Sequence, residues 1–477
     1  MTLHSLLKEI GLECDFSDCE VTSVTDRIEN VHSGSVFVCI HGRNYDGHLF
    51  AGEAQQKGAA AIICERPVAE ERCIVLRNTR VAYSFLCSAF FDHPEDKLKI
   101  IGITGTNGKT TTAYYLRHFL EGAGHKCAVM GTLGCEHNEN LQPTGYTTPS
   151  CDILFEALHG MVKDKCEYCV MEVSSQALAQ NRVDALTFEL GIVTNIGSEH
   201  LDYHGNIERY VRDKCRLVSL SKKMLLNNDD AYIESFLSVC GSKKCLMYSA
   251  KANYSDFMAK NIRINPSGIS YIFLTPKGIT NISCAVFGEF SVYNSLAAAA
   301  GAAICGVELS SIEKNSPSLP AIKGRFQIIK SERCSVCIDF AHTPQALMNV
   351  LQTLRKMCEG KIITVFGCGG DRDKSKRPEM GAVASQMSDC VIITSDNPRN
   401  ENEQDIINDI RSGIKKRSAN IFCEINREKA IALAVNKANA EDIILIAGKG
   451  HEEYQIKYNE QIFFSDEKCV RNILNQG

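Results

Sequence analysis

The sharpest chemical signal in this sequence is Gly105-Thr-Asn-Gly-Lys-Thr-Thr111, set between an apolar run and a helix-forming run. Such a loop aims backbone N–H groups and a helix amino terminus at phosphates, while Lys109 adds a positive charge and Thr110 a hydroxyl able to reach Mg2+. The full phosphate-loop pattern needs glycine where Ile103 stands, and Gly102 is one place too early. Gly-Lys-Thr alone therefore also fits a plain glycine-rich turn; the flanking strand and helix favour nucleotide binding. Downstream, Met171-Glu-Val-Ser-Ser175 puts Glu172 and Ser174 near a strand end. Thr194-Asn-Ile-Gly-Ser-Glu-His-Leu-Asp-Tyr-His-Gly205 puts His200, Asp202 and His204 just after another. The carboxyl ends of parallel strands line one edge of a sheet, so Glu172 and His200 are suited to a metal bound to nucleotide phosphates. Singly, each also fits a solvated carboxylate or a histidine satisfied by a carbonyl.

These residues need strands to carry them, and the sequence supplies candidates in three regions. To about residue 97 the pattern predicts a small α/β unit: a strand from Ser35 to Ile40, a polar turn over 41–48, a helix from Phe50 to Lys57 and a strand from Ala59 to Cys64. A second region opens with a strand from Leu98 to Ile103 and a helix from about Thr110 to Glu121, with further strands over 168–173 and 190–195; a mostly parallel sheet is expected. From about residue 321 the alternation repeats, with strands at 336–340, 361–366, 390–395 and 442–447 and a helix from Pro344 to Met357. This third region reads as a nucleotide-binding-type fold without a dinucleotide fingerprint.

A chain of 477 residues suggests about three domains. With 52 Lys plus Arg against 57 Asp plus Glu, the net charge of -5 offers no basic field for nucleic acid or an anionic membrane. The longest stretch free of charged or strongly polar side chains, Leu296 to Val307, falls short of the roughly 18 residues that span a bilayer. The amino terminus has no apolar core of the secretory kind, so a cytoplasmic location is expected. Cysteine is frequent, 23 residues, and these are expected to stay as thiols. The pairs Cys166/Cys169 and Cys334/Cys337 have zinc-like spacing, but Cys169 and Cys337 read as strand residues, where neighbours point to opposite faces.

Seven motifs in order carry a family resemblance: the phosphate loop, Met-Glu-Val-Ser-Ser, the 194–205 segment, Gly288-Glu-Phe-Ser-Val-Tyr-Asn294, Asp339-Phe-Ala-His-Thr-Pro344, Phe366-Gly-Cys-Gly-Gly-Asp-Arg-Asp373 and Asp396-Asn-Pro-Arg399. Over essentially the whole chain they resemble the Mur ligases, and among them the UDP-N-acetylmuramoyl-tripeptide synthetases. The resemblance implies an α/β protein of three domains. Residues 1–97 would form a small N-terminal UDP-substrate domain, 98–320 a central P-loop ATPase-like domain with a mostly parallel sheet, and 321–477 a Rossmann-like C-terminal domain that binds the amino acid. It also implies the reaction: ATP phosphorylates the D-Glu carboxylate of UDP-N-acetylmuramoyl-L-Ala-D-Glu, and an amino-acid amine attacks the acyl phosphate, in peptidoglycan precursor synthesis. A monomer acting on small molecules is expected.

By the same resemblance Gly105, Thr106, Asn107, Gly108, Lys109, Thr110 and Thr111 cradle ATP, with Asn294 on the adenine and Arg325, Asp339 and His342 completing the site. Thr110, Glu172 and His200 serve Mg2+, together with Lys214 as a carbamate. Taken alone, Lys214 also fits a surface-helix lysine and Arg325 a surface salt bridge. Thr147, Thr148, Ser174, Gln180 and Arg182 match contacts to the muramoyl dipeptide, hydroxyls and one Arg suiting a substrate rich in carboxylate and amide. At the uridine end Val24-Thr-Asp-Arg27 departs from the Asp-Ser-Arg common in the family, with Asp26 in the serine position; Arg43, Asn44 and Tyr45 remain candidates. Arg372, Asp396, Asn397, Pro398, Arg399, Gly448 and Glu452 match the meso-diaminopimelate pocket, where Arg399 can grip a carboxylate that lysine lacks. Read without the family, Asn-Pro-Arg is a turn after a strand. Cys368 is a candidate for oxidation sensitivity. A lysine-adding relative, a folylpolyglutamate synthetase and a non-catalytic ATP-binding scaffold are the competing readings.

Overall fold

The computed structural model describes all residues except 43–44, 139, 198, 242–243, 253, 416–419, 459 and 476–477. Two compact units form, Met1–Gly105 with Leu120–Ile196 and Glu208–Met247, and Thr106–Phe119 with Gly197–Ile207 and Tyr248–Gly477.

The first unit contains a parallel four-stranded sheet in the order Ser23–Thr25, Ser35–Val38, Ala61–Cys64, Cys73–Val75. The helix expected from Phe50 to Lys57 is a 3-10 turn, Gly47–Phe50, followed by the helix Ala51–Gln56. The Asp46 side chain caps that turn by accepting from the His48 N–H. In the same unit the strands Lys223–Asn227, Leu190–Val193, Lys99–Thr104, Tyr168–Glu172 and Cys127–Gly131 lie side by side in parallel. Gly134–His137 and Asn140–Gln142 extend them antiparallel. Strands buried on both faces explain the continuous apolar runs.

The second unit contains an antiparallel meander, Phe257–Asn265, Gly268–Thr275 and Gly278–Cys284, and the helix Glu289–Ile304. That helix is buried nearly all round, which is where the apolar run from Leu296 belongs. Its second sheet runs Gln327–Lys330, Ser335–Asp339, Ile443–Ala447, Ile362–Phe366, Cys390–Ile393, Asn420–Cys423, parallel except for the first strand. Period-two alternation divides the core: Cys337, Leu445 and Phe366 pack on one side with Leu347, Leu351 and Leu354. Val336, Ile444 and Val365 pack on the other with Ile431 and Val435. Helix Pro344–Met357 occupies its expected bounds because Thr343 caps it, Pro344 stands in its first turn and Leu347, Val350, Leu351 and Leu354 form one stripe.

Cys334 and Cys337 fall on opposite faces of this sheet, so they cannot share a metal. Among the described residues no cluster of metal-ligating side chains is present. The expectation of thiols throughout fails at one place: Cys240 and Cys245 are paired as a disulfide. Most of the other cysteines are buried, where they act as small apolar side chains. Cys368 is one of them; burial pushes its thiol up to about 12, and its Sγ lies 3.7 Å from Met380 Sδ. The oxidation-sensitive role is therefore not supported. Among the described residues no helix is long and apolar enough to cross a membrane.

Candidate active site

From Thr106 onward the phosphate loop belongs to the second unit, and it runs directly into the helix that starts at Lys109. Thr106 Oγ1 accepts from the Gly197 N–H at 2.8 Å and lies 3.3 Å from the Gly197 carbonyl, so two segments about 90 residues apart are pinned together. Lys109 Nζ donates to the Thr106 carbonyl at 2.9 Å, across the loop's own curve. Gly108 sits at φ +86°, and a Cβ there would strike Asn294 Oδ1. The loop thus needs glycine both for its left-handed backbone and for the approach of Asn294. Arg325 Nη2 donates to Thr110 Oγ1 at 3.3 Å, and its guanidinium stacks 4.4 Å over the Phe340 ring. Arg325 therefore stands beside the phosphate loop and not in a detached surface salt bridge.

Two other expected nucleotide residues have different surroundings. The Asp339 carboxylate accepts from the Phe326 and Ala341 N–H groups, both at 2.7 Å. Burial raises its carboxyl against the pull of Arg325. Each Asp339 oxygen thus takes one backbone N–H, which fixes the carboxylate in the turn beside Arg325. His342 places Nδ1 2.9 Å from the Phe340 carbonyl and Nε2 2.8 Å from Glu199 Oε1. Glu199 was not among the expected residues. Burial alone would raise its carboxyl, but the hydrogen bond from His342 and the charges of His342, His200 and Lys109 hold it well below the usual range. It lies inside the 194–205 segment, but its partner is 143 positions away, and no local spacing reveals that. His200 has a left-handed backbone at φ +57° and Nε2 3.8 Å from Glu199 Oε1. His204 is instead buried, with its ring edge-on to Tyr203.

The first unit gathers most of the muramoyl-dipeptide candidates. Glu172, 1% exposed, accepts from the Thr132 N–H at 2.8 Å and lies 3.1 Å from Thr132 Oγ1. A Cβ on Gly131 would occupy the space of that carboxylate. Thr132 Oγ1 is 3.0 Å from Thr147 Oγ1, making Thr132 a link the sequence did not reveal. Thr148 Oγ1 donates to the Glu172 carbonyl at 2.9 Å and accepts from the Ser174 N–H at 2.9 Å. Ser174 caps the helix Ser175–Ala179. Arg182 reaches the Thr148 carbonyl at 2.8 Å and grips Gln180 Oε1 through Nε and Nη2. Thr147, Thr148, Ser174, Gln180 and Arg182 are thus one connected group.

Lys214 is 1% exposed; it is not the surface-helix lysine that its sequence context allowed. Its Nζ donates to the Gly105 carbonyl at 2.9 Å and to Thr104 Oγ1 at 3.3 Å, above the Tyr210 ring. Asp26 accepts a long 3.4 Å bond from Tyr83 Oη, and burial raises its carboxyl. Val24 is buried in its strand, whereas Tyr45 is exposed and stacked on Phe50. Arg43 and Asn44 lie outside the described residues.

The amino-acid candidates come together in the second unit. Gly369 lies between the Arg399 guanidinium and the aliphatic stem of Arg372: a Cβ there would stand 2.9 Å from Arg399 Nη1 and 3.6 Å from Arg372 Cγ. Arg399, at φ +52°, donates from Nη1 to the Gly370 carbonyl at 2.7 Å. Burial and then the charge of Arg372 lower its pKa, a combination that a bound carboxylate would relieve. Asn397 Nδ2 donates to Glu452 Oε2 at 2.8 Å. Asp396 accepts from the Asn397 N–H at 2.6 Å, and a Cβ on Gly448 would stand 2.6 Å from Asp396 Oδ2. Pro398 is buried between Asn397 and Arg399 in this turn. Behind it the buried Arg377 bonds Glu401 through both terminal nitrogens and reaches the Gly369 carbonyl at 3.2 Å.

The hydrogen bond from Arg377, helped by Lys374, lowers the Glu401 carboxyl to about 2 from 4.5. A carboxyl lowered in the folded state stabilises the fold above the unfolded value, and that contribution is lost as pH falls through the folded value. The thermal midpoint is therefore expected to fall between pH about 4.5 and about 2. Glu401→Gln should lower the midpoint at pH 7 and flatten that fall; calorimetry across the range checks both.

Residues 103–302 match the Mur ligase middle domain and residues 324–450 the Mur ligase, glutamate ligase domain. A Clostridium perfringens (strain 13 / Type A) protein named UDP-N-acetylmuramoyl-L-alanyl-D-glutamate--2,6-diaminopimelate ligase is 40% identical over 488 residues, covering 99% of both chains. A Bacillus licheniformis protein of the same name is 38% identical over 483 residues, covering 99% of this chain and 98% of that one. A solved structure with that name in its description superposes with a TM-score of 0.72 at 30% identity, covering 100% and 99% of the two chains. A Mycobacterium tuberculosis folylpolyglutamate synthase shares the fold at 16% identity and TM-score 0.65 over 78% of this chain. Full-length identity at this level, on a chain whose phosphate loop, Glu172 and Asp-Asn-Pro-Arg turn have the geometry described, means that the chain belongs to the Mur ligase family.

Proposed function

We propose that this chain is an ATP-dependent amide ligase that joins meso-diaminopimelate to the D-Glu carboxylate of UDP-N-acetylmuramoyl-L-Ala-D-Glu, making a peptidoglycan precursor. We further propose three working domains, 1–97 for the UDP end, 98–320 for ATP and 321–477 for the amino acid. The terminal phosphoryl group of ATP passes to the carboxylate. The incoming amine then attacks the carbonyl carbon, its proton is lost and phosphate leaves. Lys109 and the loop N–H groups are suited to hold the negative charge that both steps concentrate.

The observation that carries the substrate assignment is the pair Arg372 and Arg399 flanking Gly369, with Glu452 and Asn397 nearby. Two guanidiniums and a carboxylate complement the carboxylate and ammonium at the end of diaminopimelate distant from the reacting amine. Lysine has no carboxylate there and would leave Arg399 without its ligand.

Mg2+ prefers oxygen donors. The Thr110 hydroxyl and the Glu172 carboxylate fit that preference, His200 adds a nitrogen, and Lys214 contributes oxygen only as a carbamate. When bound, the ion supplies positive charge against the transferring phosphoryl group. Lys214 forms the carbamate when its ammonium loses two protons and Nζ bonds to the carbon of CO2; its burial against the Gly105 carbonyl supports a role at the loop. Lys214→Ala is expected to lose at least about 100-fold in kcat, with partial rescue by added acetate or propionate, a loss of the size seen when a positioned electrostatic group is removed. Full activity without rescue would remove the carbamate role. The ligase reading is tested by mass spectrometry of the UDP product: a gain of one diaminopimelate less water, dependent on ATP, supports it, and an unchanged substrate mass rejects it.

A further inference from the structure

We propose that Lys449 is a positioning residue for amino-acid recognition, holding the polar end of the pocket in one arrangement; the proposal rests on the ligase reading above. Lys449 is 0% exposed. A buried ammonium must have its charge compensated and its three protons placed. Nζ donates to Asn397 Oδ1 at 3.1 Å, to Glu452 Oε2 at 2.8 Å and to the Tyr454 carbonyl at 2.6 Å. One side chain thereby ties together the Asp-Asn-Pro-Arg turn, the turn ending at Glu452 and the start of the hairpin Tyr454–Lys457/Glu460–Phe463.

The consequence lies in which acceptors remain. Asn397 Oδ1 already takes a second bond from the Ile456 N–H at 3.0 Å, and its Nδ2 is spent on Glu452 Oε2. Glu452 Oε2 is filled by Lys449 and Asn397. Among the described residues Glu452 Oε1 receives no hydrogen bond. Lys449 therefore leaves one carboxylate oxygen, Oε1, suited to the second ammonium of diaminopimelate, while Lys449 and Asn397 together hold the other, Oε2. The hairpin reinforces the frame: the Arg399 N–H donates to the Ile456 carbonyl at 3.0 Å and the Tyr458 N–H to the Arg399 carbonyl at 2.9 Å. Without the Lys449 ammonium, Glu452 is left to the charges of Arg399 and Arg427, which it already feels, and any pull on Arg399 draws its guanidinium from the substrate carboxylate.

The test compares meso-diaminopimelate with 2-aminopimelate, which keeps both carboxylates and one amine but lacks the second. The full-length chain is expected to prefer diaminopimelate by at least about 50-fold in kcat/KM, as sites built around a polar partner do. In Lys449→Met the preference should fall below about 5-fold, with KM for ATP and for the muramoyl dipeptide within about twofold of the parent, since the lost contacts are confined to the amino-acid end. A folded Lys449→Met that keeps the preference overturns the proposal. Should that variant fail to fold, Glu452→Gln decides: collapse of the same preference supports the arrangement, and retention overturns it. A parent chain that adds no diaminopimelate to the dipeptide rejects the ligase reading itself, whereas a parent that adds it alongside an unaffected variant rejects only the role of Lys449.

Discussion

Lys109→Ala is expected to lower ATP-dependent phosphate release at least about 1,000-fold while leaving the KM for the muramoyl dipeptide nearly unchanged. The side chain starts the helix Lys109–Gly122, and its Nζ rests on the Thr106 carbonyl of its own loop. Thr106 is itself fixed to Gly197, and Asn294 fills the space beside Gly108. The ammonium is thus carried on a loop that is already pinned, so little reorganisation is needed when phosphate charge develops. Alanine removes the charge but not the loop, which is why binding of the other substrate should survive. Steady-state phosphate release checks this, and a variant retaining a tenth of the parental rate would contradict it.

Arg399→Ala is expected to lose about 2 kcal/mol, roughly 30-fold in kcat/KM for meso-diaminopimelate, the scale of a lost charge-assisted partner. The guanidinium is half-buried, bound to the Gly370 carbonyl and pressed by the charge of Arg372. A carboxylate placed between the two removes that repulsion, so its loss is felt by both arginines. Arg399→Lys should recover little, because a point charge cannot reproduce the planar fork. Parallel assays with lysine should change much less, and unchanged selectivity in both variants would end the specificity role.

The local parts of this site were legible in the residues themselves. The phosphate loop declared itself by glycine, lysine and hydroxyl spacing between a strand and a helix, and Pro344–Met357 by its cap, proline and apolar stripe. What escaped was non-local. Glu199 acquires its meaning only when residue 342 is brought to it, and Thr132 only when the strand ending at Glu172 lies beside Gly131. Burial was equally hidden: the contexts of Lys214 and Lys449 are polar enough to read as surface, yet the fold encloses both. The backbone N–H groups that hold the Asp339 carboxylate, from Phe326 and Ala341, were likewise not visible in its motif.

The most direct measurement is phosphate release from ATP with UDP-N-acetylmuramoyl-L-Ala-D-Glu present, run in parallel with meso-diaminopimelate, L-lysine and no amine. Strong turnover with diaminopimelate alone is the expected result. Turnover that needs no amine, or that prefers lysine, would contradict the assignment of the Arg372 and Arg399 pocket.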